Sequence, residues 1–281
     1  MDEKSELKRR ILDTKTLPTL PGVIIELNSL ADNDKACIQE MARIVSADQT
    51  LSARILRLAN SPSYGFYRVS TISNAMILLG VNVVKSLAIS SSIFQVMEKD
   101  SVGLWEHSLG VGVAANLLAK RINLPGGEEI ATAALLHDLG KVIISLQCSA
   151  EEKMINRLVR DQKIYAIEAE RQVLGTDHAE IGGLLADSWL LPENLAEPIK
   201  YHHDVARSHK HRVATSIVHV ADALIKASGF GDNGDPFVPR VQQEAWEALG
   251  LDRQILADVV AELGEKLIEV KDFSHRLLGD V

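Results

Sequence analysis

The chain has 281 residues, 46% of them hydrophobic, enough apolar material for one large core or two modest lobes. Its formal charge of -8 is uneven, with 12 Lys/Arg against 11 Asp/Glu in residues 1–100 and 18 against 27 beyond, and such a surface argues against nucleic acid as a partner. No apolar run reaches the roughly 18 residues of a membrane span, Met1–Arg10 is charged where a secretion signal turns apolar, and Cys37 and Cys148 stand too far apart for a CxxC knot, so a cytoplasmic protein with neither a span nor a disulfide framework is expected.

A period of 3.6 residues runs through nearly every segment, and alternating strand patterns bounded by turn signals are missing, so the chain reads as all-α. Helices are expected over about 5–14, 23–31, 36–47, 50–60, 71–79 and 81–98. Leu17-Pro18-Thr19-Leu20-Pro21-Gly22 separates the first two, because its prolines lack the backbone donor and clash with the preceding turn. Asn60-Ser61-Pro62-Ser63-Tyr64-Gly65 ends the fourth. At Glu98-Lys99-Asp100-Ser101 the charge balance changes, and all nine histidines lie beyond it. We therefore expect an N-terminal helical lobe over 1–100 and a second helical lobe over 101–281 that carries the chemistry. Its helices are expected over about 102–122, 127–145, 149–162, 164–174, 178–190, 193–201, 210–228, 240–249 and 252–270. Asp177 and Glu180 look like an N-cap pair, and Gly229–Pro239 is the most loop-like stretch.

Leu135-Leu136-His137-Asp138-Leu139-Gly140-Lys141 places two metal-competent side chains directly after an apolar run, where a buried helix face is expected. An unpaired buried carboxylate is costly, and a cation or a strong hydrogen-bonded pair removes that cost. Gly140 permits close backbone approach, and Lys141 falls one turn after His137, within reach of an anion held on a metal. His107 shares a face with Val111, Ala114 and Leu118, His178 with Ile181 and Leu185, and Asp222 with Val218 and Ile225. His202 and His203 close a separate helix together. A lone histidine on an apolar stripe is more often a hydrogen-bonded core residue than a ligand, but several inward polar residues together favour a metal site. Imidazole and carboxylate donors without thiolate suit Fe, Mn, Zn, Co or Ni about equally.

Taken in order, His107, His137-Asp138 in a His-Asp-x-Gly-Lys string, His178, His202-His203 and Asp222 resemble the HD-domain metal-dependent phosphohydrolases. The resemblance implies one or two divalent transition metal ions. His107, His137, Asp138 and Asp222 would hold one, Asp138 would bridge to a second held by His178, His202 and His203, and Lys141 would meet a substrate phosphate. In the first hundred residues, Leu17-Pro18-Thr19-Leu20-Pro21, Ala47-Asp48-Gln49-Thr50-Leu51-Ser52, Leu58-Ala59-Asn60-Ser61 and Ile72–Leu79-Gly80 resemble the HDOD family. Those bacterial signalling modules are related to the HD-GYP cyclic di-GMP phosphodiesterases, and an N-terminal helical lobe packs on an HD-like helical lobe. Many lose the metal ligands; this chain keeps them.

Three departures narrow what the resemblance implies. The HD-GYP string Asp-Gly-x-Gly-Tyr-Pro is absent after the paired histidines, where His203 runs into Asp204-Val205-Ala206-Arg207, so specific hydrolysis of cyclic di-GMP is not expected. Gly103 stands where three-metal relatives carry a Glu ligand, so two ions are the most expected. Gln49 replaces the usual proline after Asp48, a minor change of loop geometry.

Gly110-Val111-Gly112-Val113-Ala114-Ala115 imitates a dinucleotide-binding fingerprint, but it lies within a helix and follows no strand, so its glycines are read as helix-packing positions. Asp232-Asn233-Gly234-Asp235 lacks the spacing of a calcium loop and is read as a polar surface turn. His219, one turn before Asp222, is read as a core hydrogen-bonding residue that could also support a ligand. Two functions follow. One is a metal-dependent phosphohydrolase acting on a nucleotide or other phosphoester through Asp138 and Lys141. The other is a non-catalytic signalling or scaffold module that binds a protein partner or nucleotide messenger around a structural metal.

Overall fold

The structure is a computed structural model that describes residues 38–46, 69–80, 102–189 and 191–278, with single positions at 52, 55, 56, 59, 60 and 84. The helices expected over 5–14 and 23–31, most of those over 50–60 and 81–98, the Leu17–Gly22 linker and Ala47–Leu51 lie outside the described residues, as does Cys37. All elements among the described residues are helical, as the periodicity requires. None of these helices is long and apolar enough to cross a membrane. The described residues fall into two compact units, one drawn from 19–96 with 264–278 and the other from 97–263.

In the first unit, helices α1 (Ile38–Ser46) and α2 (Ile72–Leu79) pack together, and Met41, Val45, Ala75 and Met76 on them are buried. Thr71 starts α2 by accepting a hydrogen bond from the Asn74 amide at 3.2 Å. Asn60 pairs with both backbone groups of Val69, accepting from its N–H at 2.7 Å and donating to its carbonyl at 2.8 Å. One side-chain amide thus satisfies two backbone groups nine residues away.

The second unit holds α3 (Val102–Arg121), α4 (Gly127–Leu136), α5 (Leu139–Gln147), α6 (Ser149–Gln162), α7 (Ala166–Leu174), α8 (His178–Ser188), α9 (Glu193–Tyr201), a 3-10 turn at Val205–Arg207, α10 (Arg212–Ser228) and α11 (Gln243–Leu249). The last helix, α12, runs Arg253–Leu278, past the expected end near 270: it holds no proline, and Gly264 inside it does not end it. The central helix is α3, which packs on both α4 and α10. Its glycines make this possible. A Cβ on Gly112 would crowd the Ala131 carbonyl of α4, and one on Gly110 would crowd Phe230 and Ile225. The expected helix over 127–145 is instead two, broken at His137-Asp138, where Asp138 has φ -94 and ψ 13. Local propensity favours continuing there, but the tertiary surroundings of two buried polar side chains override it.

Candidate metal centre

Five segments bring the eight sequence-derived candidates together. His107 comes from the first turns of α3, His137 and Asp138 from the break between α4 and α5, and Lys141 from α5. His178 opens α8, His202 and His203 follow the end of α9, and Asp222 lies inside α10. His107, His137, Asp138, His178, His202 and Asp222 are all buried. His203 is less enclosed and lines a cleft of about 190 Å³ whose walls include Arg171, Lys200, Tyr201 and Arg207.

Close packing at the break depends on Gly140. A Cβ there would overlap the His178 carbonyl, so glycine lets α5 and the start of α8 meet backbone to backbone. Asp177 caps α8 by accepting from the Glu180 amide at 2.8 Å, which fixes the first turn that carries His178. Glu180 does not close a capping box; its carboxylate accepts from the Thr176 hydroxyl at 2.6 Å.

The donor atoms form two groups joined by Asp138. In the first, His107 Nε2 lies 3.1 Å from Asp222 Oδ1, and His137 Nε2 lies 3.9 Å from the same oxygen and 3.3 Å from Asp138 Oδ2. In the second, His178 Nε2 is 3.2 Å from Asp138 Oδ1 and 2.9 Å from His203 Nε2, with the His202 ring 4.1 Å from that of His203 between centroids. The ligand atoms of His107, His137 and Asp222 lie within 4.8 Å of one another, as do those of His178, His202 and His203.

Backbone and carboxylate partners orient the rings. His137 Nδ1 is 2.7 Å from the Ala134 carbonyl and His202 Nδ1 is 2.8 Å from the Ile199 carbonyl. A carbonyl only accepts, so each Nδ1 carries a proton and each Nε2 is turned inward. Glu170 does the same for His178, with its carboxylate 2.7 Å from Nδ1 and also accepting the His178 amide at 2.8 Å. His219 is a satisfied core residue that supports the centre: Nδ1 donates to the His202 carbonyl at 2.8 Å and Nε2 accepts from the Gln242 amide at 3.0 Å.

The electrostatics separate the donors. Burial opposes ionisation of Asp138, but His137, Lys141 and His178 outweigh it and hold the carboxyl well below the usual carboxylate range. Asp222 is held low against its own burial by His107 and Lys226. Burial, reinforced by neighbouring imidazoles, pushes His202 and His203 well below the usual histidine value, and burial also lowers His107 against the pull of Asp222. These three rings are therefore neutral near pH 7, the form that ligates a metal. Burial also opposes the charge of His137, but Asp138 and Asp222 prevail and raise its pKa.

A divalent cation fits this donor set. His137 Nε2, His202 Nε2, Asp138 Oδ1 and Asp222 Oδ1 are buried without a hydrogen-bond partner. Leaving such an atom unsatisfied costs about 1–3 kcal/mol, more if charged, so four in one interior call for a positive species between them. Gly103 also bears on the number of ions. Its carbonyl accepts from the Asp232 amide at 2.9 Å, and a side chain there would meet Asp232, so the chain has no room for an additional carboxylate ligand at that position.

Three participants escape the sequence reading. Asp232-Asn233-Gly234-Asp235, expected to be a surface turn, instead buries Asn233, whose Nδ2 lies 3.0 Å from Asp138 Oδ2 and 3.2 Å from His107 Nε2. Lys141 Nζ donates to Asp138 Oδ2 at 3.1 Å and to the Asn233 carbonyl at 3.0 Å. The side chain of Lys226, one turn after Asp222, is enclosed and paired with Asp235 at 3.2 Å. Glu170 is the third. Its one sequence signal is a carboxylate on the buried stripe of α7, beside Ala166, Ala169 and Leu174.

A family model described as the HDOD domain matches residues 17–205. A crystal structure of an HDOD domain protein of unknown function from Geobacter sulfurreducens is 29% identical, with a TM-score of 0.79 over 98% of both chains. Another, a candidate phosphohydrolase from Shewanella amazonensis, is 26% identical, with a TM-score of 0.74 over 96% of this chain and 98% of that one. An uncharacterized protein of Treponema pallidum is 29% identical over 245 residues, 80% of this chain but 45% of that protein, so the chain spans less than half of that relative's length.

Proposed function

The chain belongs to the HDOD domain family, and from that premise we propose that it is a cytoplasmic bacterial signalling protein whose HD-type lobe is a metal-dependent phosphohydrolase. The observation that carries this reading is the set of four buried donor atoms that make no hydrogen bond, two in each group, at His137, Asp222, His202 and Asp138. His107, His137, Asp138 and Asp222 would hold one ion, and His178, His202 and His203 with the other oxygen of Asp138 a second. Divalent cations there supply Lewis-acid charge to a phosphoryl group and to an attacking water.

The chain's own residues do the rest. Lys141 and Asn233 fix the Asp138 carboxylate through Oδ2 and leave Oδ1 toward His178. Glu170, Ala134 and Ile199 hold three imidazoles with Nε2 inward. The cleft beside His203, whose walls carry Lys200 and Arg207 along with Asp177, Glu180 and Asp204, would give a phosphoester a way in. Lys141, at the edge of the centre, would meet the phosphate. The Shewanella amazonensis relative supports the same class of chemistry.

Elemental analysis of the purified protein beside a His137→Ala, Asp138→Ala double variant tests the centre, and a screen of nucleotides and other phosphoesters tests turnover. Metal in the wild type but not the variant, with hydrolysis lost in His137→Ala, is the expected result. Equal metal in both would sink the centre. A second reading, a module that binds a nucleotide messenger or protein partner without turnover, is favoured by the bonds from Lys141 and Asn233 that already occupy Asp138 Oδ2. Tight nucleotide binding without hydrolysis would select it.

A further inference from the structure

The two donor groups are not equally free. In the group of His178, His202 and His203, the inward atoms meet only one another and Asp138 Oδ1; His178 Nε2 and His203 Nε2 face each other at 2.9 Å, and His202 Nε2 has no partner. In the His107 group, two of the four donor atoms are engaged by a single amide, since Asn233 Nδ2 lies 3.2 Å from His107 Nε2 and 3.0 Å from Asp138 Oδ2.

That amide is held in place from several sides. Its own Oδ1 accepts from the Asp235 N–H at 3.3 Å, which turns Nδ2 toward the ligands. Lys141 bonds the Asn233 carbonyl, and Lys226 anchors Asp235. The loop is pressed onto α3: the Asp232 amide bonds the Gly103 carbonyl at 2.9 Å, and Gly231, at φ 69, has no space for a Cβ because the His107 amide is there. Asn233 itself is 9% exposed. An N–H donor and a cation cannot share one imidazole lone pair.

We propose that Asn233 sets the occupancy of the His107 group: its amide competes with a cation for His107 Nε2 and Asp138 Oδ2, so the first ion enters the His178, His202 and His203 group and the second binds only at higher metal concentration. This rests on the metal-centre reading and adds an order of filling that the ligand set does not imply. Asn233 is a positioning residue here, acting on the ligands and not on substrate.

The test is a metal titration of the apoprotein with Mn²⁺ or Zn²⁺ against a competing chelator, read as ions bound per chain, for the wild type, Asn233→Ala and Asn233→Asp. The wild type should bind in two steps at least tenfold apart. Asn233→Ala should tighten the second step tenfold or more and leave the first unchanged, and Asn233→Asp, which replaces the donor by a carboxylate acceptor, should tighten it further. Equal steps in the wild type, an unchanged second step in Asn233→Ala, or a weaker one, which would make Asn233 a ligand, overturns the proposal. Those outcomes leave the metal centre standing; wild-type protein that binds no ion overturns the centre as well. Far-ultraviolet circular dichroism of each variant establishes that the lobe is folded.

Discussion

At the scale of the residue, the centre depends on which ring nitrogen carries a proton. Main-chain carbonyls decide this for His137 and His202, but His178 relies on a side chain, Glu170, which accepts from both its ring and its amide. Removing that charge loosens the ring and weakens Nε2 as a donor without touching the first group. Glu170→Gln should therefore reduce metal affinity of the His178 group about 10- to 100-fold, measured by chelator competition, with the His107 group unaffected. An equal loss at both groups would mean that Glu170 acts through the fold of the lobe. The residues that escaped the sequence reading share this feature: Asn233 meets Asp138 across 95 positions, and neither its type nor its neighbours announce the contact.

At the scale of the element, helix ends do the positioning. His178 opens α8, His202 and His203 close α9, and Asp138 sits at a break, because a helix terminus is where the backbone can turn side chains toward a shared interior. The return from α9 to α10 is held by Glu197, which accepts from the Ser208 hydroxyl and from the amides of His209, Lys210 and His211 at 2.6 to 3.3 Å. Burial opposes ionisation of Glu197, but the Ser208 hydroxyl and the three amides outweigh it and lower its pKa from 4.5. A carboxyl with a lowered folded pKa stabilises the fold above its unfolded value, and this contribution fades as pH falls through the folded one. Glu197→Gln should then cost about 1–3 kcal/mol at pH 7 in urea unfolding, and the gap to the wild type should narrow below about pH 4.5. A gap of the same size at pH 7 and pH 3.5 would show that the charge is not what matters.

At the scale of the whole molecule, the metal-competent residues all lie within one compact unit, yet they span 107 to 222 in sequence and join five segments of it. An ion bound there contacts only the native arrangement, so it stabilises the lobe by mass action, about 2.7 kcal/mol at a hundredfold excess over Kd. Chelation should lower the Tm of the metal-loaded protein by on the order of 5–10 °C, and the His137→Ala, Asp138→Ala variant should show no such shift in differential scanning calorimetry. A chelator-dependent shift of the same size in that variant would place the ion elsewhere.

What the sequence determined by itself is what local chemistry controls. The apolar period made the chain all-α and bounded helices such as 149–162 and 193–201 to the residue. Polar residues on apolar stripes marked His107, His178 and Asp222, the string after an apolar run marked His137 and Asp138, and the resemblance to the HD-domain phosphohydrolases added His202 and His203, all groups whose burial is costly without a partner. Only the tertiary structure decided that the helix over 127–145 breaks at His137-Asp138, that Glu170 orients His178, and that Asn233 reaches two ligand atoms. Periodicity reports which face of a segment is buried and carries no information about what it is buried against. Those three outcomes are set by packing between segments distant in sequence.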